Sequence, residues 1–336
     1  MSISTDLNKA KSPEATRVSL PVSPAVTPAV TDRRRPALRG LLWALVLCLS
    51  FGASGTLAKG LMVVGWSPLA TVWVRVAGAA LLMGLPALWV MRHRLPVLRR
   101  YAGLIVAYGL VAVASTQLFY FLAVQTLPVA VALLIEYLAP VIVIGWLWLR
   151  HGQRPGPLTV LGVALAVAGL ALVLGITGAV PVDLAGMTWA LGAAVSLAVY
   201  FVLSARPAPE LPPLVLIGCG MIVGAVALGA IGLTGVLPFA WSAEPVAFGP
   251  WTVSPVLPLV LLVLVSAVLA YTSGLFAVRL LGSRVASFVG LAEVLAAVGY
   301  AWVLLGELPT VLQLAGGVAI LLGATAVKAG EAHPAR

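Results

Sequence analysis

Gly145-Trp-Leu-Trp148-Leu-Arg-His-Gly152-Gln-Arg-Pro155-Gly-Pro-Leu158 returns later in the chain as Gly299-Tyr-Ala-Trp302-Val-Leu-Leu-Gly306-Glu-Leu-Pro309-Thr-Val-Leu312. The offset is 154 residues, with no gap. It extends backward, where Ala123, Val124, Leu127, Val131 and Ala132 meet Ala277, Val278, Leu281, Val285 and Ala286. It extends forward, where Gly162 and Gly169 meet Gly316 and Gly323. Apolar composition alone produces matched Leu, Val and Ala. It rarely aligns two Trp, two Pro and several Gly. A second match, at an offset of 146, sets Gly40, Trp43, Ala44, Leu45 and Ser50 on Gly186, Trp189, Ala190, Leu191 and Ser196. The chain is therefore read as one unit written twice.

The unit belongs in a bilayer. Of 336 residues, 62% are hydrophobic and 9% charged, where a soluble domain carries about 25% charged residues. Mean hydropathy is +1.11. Apolar runs of about 20 residues, the length that spans a bilayer as a helix, are expected near 40–61, 68–90, 101–121, 128–149, 157–176, 185–204, 211–233, 257–278, 284–305 and 309–328. Pro68, Pro128, Pro157, Pro212 and Pro309 fall at their starts or in loops, where a helix tolerates proline. Residues 1–39 are polar and rich in Pro, Ser and Thr, which cannot build a core, and read as a disordered tail. They do not resemble a signal peptide.

Charge sorts these runs. Basic loops stay in the cytoplasm. With the N-terminus inside, Arg33, Arg34, Arg35, Arg39, Arg92, Arg94, Arg99, Arg100, Arg150, Arg154, Arg206, Arg279, Arg284, Lys328 and Arg336 fall on the cytoplasmic side, and the outside loops carry Asp183, Glu244 and Glu307. The net charge of +10 is then a topology signal facing an anionic leaflet, and no nucleic-acid partner is implied. The expected fold is an all-α integral membrane protein of ten transmembrane helices. It divides into a cytoplasmic tail at 1–39, five-helix repeats at 40–176 and 185–328, and a cytoplasmic tail at 329–336. Five helices per repeat force the two into opposite orientations. Inverted repeats are a recurrent transporter plan, with the solute site near the midplane between them.

Four segments carry a family resemblance. They are Glu136-Tyr-Leu-Ala-Pro140-Val-Ile-Val, Leu291-Ala-Glu293-Val-Leu-Ala-Ala, Trp302-Val-Leu-Leu-Gly-Glu307-Leu-Pro309 and Gly316-Gly-Val-Ala-Ile-Leu-Leu-Gly323. Over residues 40–328 the chain resembles the EamA family of the drug/metabolite transporter superfamily. The resemblance implies a ten-helix exporter of amino acids or related metabolites in a bacterial plasma membrane. It departs from the family's Glu-Pro pattern. Glu293 is followed by Val294, and Ala139 stands before Pro140, with Glu136 one turn earlier on nearly the same face.

Charges inside the hydrocarbon cost a few kcal/mol and pair or line a wet path. Glu136 lies roughly 13 Å into its helix and Glu293 about as deep from the other side, at 1.5 Å per residue. Glu293 is expected as a proton carrier or a ligand for a substrate ammonium, or else as a structural acid bonded to a neighbouring helix. Arg75, roughly 10 Å deep, is matched to Glu136 as a structural ion pair or a coupling pair. Lys59 reaches the outer interface by snorkelling or acts as an outer gate. Tyr108, Ser115, Gln117 and Tyr120 offer hydroxyls or an amide to a solute, and Tyr137, Tyr200, Tyr271 and Trp73 could wall it. Each alone is more often packing glue. The glycines at 162, 169, 316 and 323 read as close helix packing, the tryptophans as an interfacial belt, and loop 234–256 as a possible lid.

Other functions fare worse. No P-loop motif is present, so ATP hydrolysis is not expected. His93, His151 and His333 lie in loops or the tail, so no nucleophile–base pair or metal set forms within the membrane. Cys48 and Cys219 sit in apolar runs and read as small buried hydrophobes. No cofactor or metal is expected, and the sequence does not indicate an oligomeric state. The partners are a small solute and the bilayer, with proton-coupled export the leading reading. A lipid or nucleotide-sugar translocator of the same fold is the alternative, and an intramembrane enzyme the weaker one.

Overall fold

A computed structural model describes residues 34–151, 156–173, 183–204, 206–290 and 292–331. Residues 1–33 of the expected tail, Gln153 and residues 332–336 lie outside the described residues. The chain is an all-α, multi-pass membrane protein, with one short hairpin among the described residues. Besides a short helix at Leu95–Arg100, its helices are α1 (Arg34–Val63), α2 (Pro68–Met91), α3 (Ala102–Thr126), α4 (Val129–Arg150), α5 (Pro157–Val173), α6 (Leu184–Ser204), α7 (Pro213–Thr234), α8 (Val256 to Gly290), α9 (Ala292–Leu305) and α10 (Val311–Glu331). Among the described residues, seven of these are long and apolar enough to cross a membrane, and α5, α9 and α10 provide shorter apolar helices. Leu45, Leu81, Leu161 and Val226 are exposed. An apolar exterior of this kind needs lipid as its solvent.

Several boundaries differ from expectation; α3 runs on to Thr126, α9 begins only at Ala292, and α10 runs to Glu331, inside the stretch read as the C-terminal tail. Helix α1 begins at Arg34, inside the stretch read as tail. Pro36 falls in the first turn, where its missing N–H costs nothing. Helix α8 runs unbroken through 279–283, where a loop was expected. In the first repeat Pro128 separates α3 from α4. The residue 154 positions later is Gly282, which keeps its N–H and lets the helix continue.

The packing crosses between the halves. Helix α1 lies against α8 and α9, while α6 lies against α3 and α4. Helix α7 packs on α2 and α3, and α8 packs on α2. Helices α5 and α10 pair through glycine. A Cβ on Gly162 would stand 2.7 Å from the Gly323 carbonyl oxygen, and one on Gly169 would stand 2.6 Å from that of Gly316. The pairing order reverses along the two helices, so they run antiparallel. With little hydrophobic drive between helices in lipid, such close backbone contact supplies the attraction. The expected glycine packing is what the structure contains.

Three helices contain π turns: Ala80–Gly84 in α2, Tyr108–Ser115 in α3 and Leu264–Leu269 in α8. The last two fall at matching places under the 154-residue offset. Such turns concentrate at functional sites.

The segment between α7 and α8 folds onto the end of α1. Strand β1 (Val246–Phe248) pairs antiparallel with β2 (Trp251–Val253), with Phe248 opposite Trp251. Val246 and Phe248 are buried, and a Cβ on Gly60 would strike the Phe248 ring. The Trp66 Nε1–H donates to the Ser242 carbonyl at 2.8 Å, and the Ser67 N–H donates to that of Ala240 at 3.0 Å. The loop read as a possible lid is thus stitched over the α1–α2 turn.

Candidate functional site

Six helices converge on one buried polar cluster. Helix α1 contributes Phe51, α2 Arg75, and α3 Gln117, Tyr120 and Phe121. Helix α4 contributes Glu136 and Tyr137, α8 Ser266 and Tyr271, and α9 Glu293. Both halves therefore build it.

Local sequence explains the placement on α4. Pro140 has no N–H for the Glu136 carbonyl, and it disfavours helical geometry at Ala139. The helix breaks at Tyr137–Leu138, and the Leu138 N–H turns to the Ile135 carbonyl at 3.0 Å. Glu136 and Tyr137 thus stand at the broken turn, deep in the molecule. The Tyr137 hydroxyl donates to Glu293 Oε2 at 3.1 Å, tying α4 to α9. Gly52 lets α1 approach this point, because a Cβ there would lie 3.1 Å from the Glu293 carbonyl oxygen.

Arg75 is 3% exposed. Its Nη2–H donates to the Ser266 carbonyl at 2.6 Å, in the π turn of α8. Its guanidinium carbon lies 5.7 Å from the Phe121 ring centre and 6.0 Å from that of Phe51. The expected contact pair with Glu136 does not form: among the described residues no ion pair joins the two. The guanidinium is instead anchored to α8 and held between aromatic faces. Arg75, Glu136 and Glu293 still share one electrostatic neighbourhood, with the hydroxyls of Tyr120 and Tyr271 inside it.

Gln117 Nε2–H donates to the Tyr271 hydroxyl at 3.2 Å. These positions are 154 apart, so residues equivalent in the repeat touch each other. Three buried atoms of this cluster have no hydrogen-bond partner among the described residues: Arg75 Nε, Gln117 Oε1 and Ser266 Oγ. A buried donor or acceptor left unpaired costs about 1–3 kcal/mol. A polar solute that pairs with them recovers that energy.

The other expected residues lie around this centre. Tyr108 is buried against Tyr200, with ring centres 5.7 Å apart. Ser115 is committed to its own helix, donating to the Leu110 carbonyl at 2.9 Å. Trp73 packs on Phe239 near the hairpin and does not line the centre. Cys48 is buried beside Glu293 and Cys219 against α2, as small apolar residues would be. No group of three His, Cys, Asp or Glu that could hold a metal occurs among the described residues. Phe51, Phe121 and Ser266 were not singled out from sequence, because no charge or spacing marks them.

At the hairpin end lies a second polar group. Lys59 Nζ is 2.6 Å from Glu307 Oε1 and donates to the Leu127 carbonyl at 2.7 Å. The Val129 N–H donates to Glu307 Oε2 at 2.9 Å. Gly306, at φ 70°, takes the left-handed turn that sends the Glu307 N–H back to the Ala301 carbonyl and aims its side chain. Lys59 therefore does not simply extend to the interface.

Known proteins resemble this chain. Threonine/homoserine exporter RhtA of Salmonella typhimurium strain LT2 is 29% identical over 235 residues, covering 68% of this chain and 74% of that protein. RhtA of Escherichia coli strain K12 is 29% identical over 233 residues, covering 67% and 74%. An uncharacterised inner membrane transporter of Salmonella typhimurium, YicL, is 24% identical over 293 residues, covering 84% and 93%. One solved crystal structure superposes with a TM-score of 0.52 at 21% identity, over 87% of this chain and 98% of that one, a likeness of fold alone. The relatives are bacterial, in keeping with a multi-pass protein of a bacterial plasma membrane. The profile of one family matches twice, over residues 38–175 and again over 184–328. With both matches spanning nearly all of the membrane part, the chain belongs to the EamA-like transporter family, a family of transporters and not of enzymes.

Proposed function

We propose that this transporter exports small zwitterionic metabolites such as amino acids, by alternating access between two inverted five-helix repeats, with coupling to protons through Glu293. The carrying observation is the central cluster, where one buried cation and two carboxyl groups meet between the halves. Arg75 offers a fixed positive pole for a carboxylate. Glu136 and Glu293, with the Tyr137 hydroxyl, offer a negative pole for an ammonium. The unpaired Arg75 Nε and Gln117 Oε1 supply a donor and an acceptor. Relatives named as threonine/homoserine exporters agree with a solute of this charge pattern.

Inverted symmetry draws support from the packing. Under the 154-residue offset the Gly162–Gly323 contact becomes Gly316–Gly169, which is the other close contact between α5 and α10. Gln117 and Tyr271 exchange places and bond to each other, as residues beside a two-fold axis do. The crossed packing of α1 and α6 follows the same exchange. Equivalent halves give inward-open and outward-open states of similar energy, which alternating access requires. With both termini cytoplasmic, Arg92, Arg94, Arg99, Arg100 and Arg206 lie inside and the hairpin outside.

A lipid-like solute has one observation in its favour. A cavity of about 360 Å³ opens between α4, α9 and α10, lined by Val131, Leu134, Val294, Val298 and Leu314. Its lining contains Glu307 and no Lys or Arg, which suits a hydrocarbon chain but not a phosphate headgroup.

The test compares secreted metabolites from cells expressing the chain, cells with empty vector, and cells with Glu293→Gln at equal membrane levels. One class of amino acid should accumulate outside only with the unmutated chain, and in vesicles its export should follow an imposed pH gradient. Gradient-driven export that survives Glu293→Gln intact removes Glu293 as the coupling group. Identical profiles across a broad panel remove metabolite export itself.

A further inference from the structure

We infer that Lys59, Glu307 and the backbone break at Pro128 form a latch that holds the external end closed, built from residues that the other repeat does not carry at the equivalent positions. The inference rests on the alternating-access reading. Pro128 interrupts the chain between α3 and α4, which leaves a carbonyl at the end of one helix and an N–H at the start of the next. Lys59 Nζ takes the Leu127 carbonyl and Glu307 Oε2 takes the Val129 N–H, while the two side chains pair with each other. Cation on helix C-terminus and anion on helix N-terminus are the favourable placements for the backbone dipoles. Four polar groups thus close into one ring. It joins α1 and α4 of the first half to the α9–α10 turn of the second. Both side chains are about one-fifth exposed, so the pair is partly sheltered from screening.

The repeat lacks the same parts elsewhere. The residue matching Glu307 at the 154-residue offset is Gln153, the one matching Pro128 is Gly282, and the one matching Lys59 at the 146-residue offset is Ala205. Neither charge and no proline is repeated, and α8 runs through Gly282 as unbroken helix. Two halves of equal energy would leave the resting state undecided. Among the described residues an ion pair also joins the halves at the cytoplasmic end, Arg100 Nη1 to Glu210 Oε1 at 2.8 Å, but its side chains are 67% and 47% exposed, where solvent screens it. The sheltered ring at the outer end therefore biases the chain toward the externally closed state, from which the next substrate enters from the cytoplasm.

Cys48 gives a native reporter. It is 1% exposed, beside Glu293 in the middle of α1, and in a Cys219→Ala background it is the remaining thiol of the chain. A membrane-impermeant maleimide is applied to right-side-out vesicles, and the rate of Cys48 labelling is measured. Glu307→Gln and Lys59→Met are each expected to raise that rate about tenfold, as loss of one charge-assisted hydrogen bond would. The exchange Lys59→Glu with Glu307→Lys should stay fast. It restores the ion pair but sets an anion on the Leu127 carbonyl and a cation on the Val129 N–H. Gly306→Ala, which strains the turn aiming Glu307, should label at an intermediate rate and serves if a charge variant fails to reach the membrane. Labelling at the unmutated rate in the single variants overturns the latch. Recovery in the charge exchange overturns the backbone's part in it. Latch-dependent labelling in a chain that moves no solute would leave the latch standing and sink the transport reading instead.

Discussion

Replacing Gly162 with Ala tests the packing on which both halves depend. The added Cβ would stand 2.7 Å from the Gly323 carbonyl oxygen, 2.8 Å from the Val327 nitrogen and 2.9 Å from Val327 Cγ2. Carbon contacts relax at about 3.5–4.0 Å. Two of the three atoms are backbone, so no rotamer change clears the way, and α5 must move from α10 by several tenths of an ångström. Overpacking of this kind costs about 1–3 kcal/mol. Alanine's better helix propensity returns up to about 1 kcal/mol, so the expected net loss is about 1–2 kcal/mol. Gly145 provides the control. It also recurs in the repeat, as Gly299, but a Cβ at either position meets nothing within 4 Å. Gly145→Ala should therefore be neutral or slightly stabilising. Thermal unfolding of the purified protein in detergent separates the two. A loss of this size lowers the midpoint by a few degrees in a chain of this length. A Gly162→Ala protein that melts at or above the unmutated one, with Gly145→Ala unchanged, would refute the close-contact argument.

Two further outcomes follow from single side chains. Arg75→Lys keeps the charge but loses the Nε donor and the planar fork; half-saturation for a zwitterionic solute in inverted vesicles should rise about tenfold at equal protein level, and an unchanged value would remove Arg75 from the solute site. Asp183 caps α6, accepting from the Ala185 and Gly186 N–H groups at 3.2 Å each. The Thr126 side chain's hydrogen bond, followed by these amides, holds its carboxyl below the usual aspartate range. A lowered folded value means the cap is fully present above the unfolded aspartate's range and is lost as pH falls through the folded one. Amide exchange at Ala185 and Gly186 should thus accelerate only in strongly acid solution, and Thr126→Val should move that onset to higher pH. An onset that Thr126→Val leaves in place would show that Thr126 does not hold the carboxylate.

The membrane setting, the approximate run of helices and the duplicated unit are all written in local composition and spacing. A chain with 9% charge has no soluble alternative, and a 154-residue echo of Trp, Pro and Gly needs no coordinates to be seen. Glu293, Glu136, Arg75 and Gln117 were legible as candidates because polar groups stand out in apolar runs. Their grouping was not legible, because it joins residues more than 150 positions apart. Sequence matched Arg75 with Glu136 by depth alone, whereas the folded chain gives the guanidinium to the Ser266 carbonyl. Nothing in the pattern around Ser266 announces that, because the acceptor is backbone in a π turn. Lys59 and Glu307 were each visible as a lone charge near a helix end. Only tertiary structure joined them through the backbone broken at Pro128, because a hydrogen bond depends on distances that no linear spacing records.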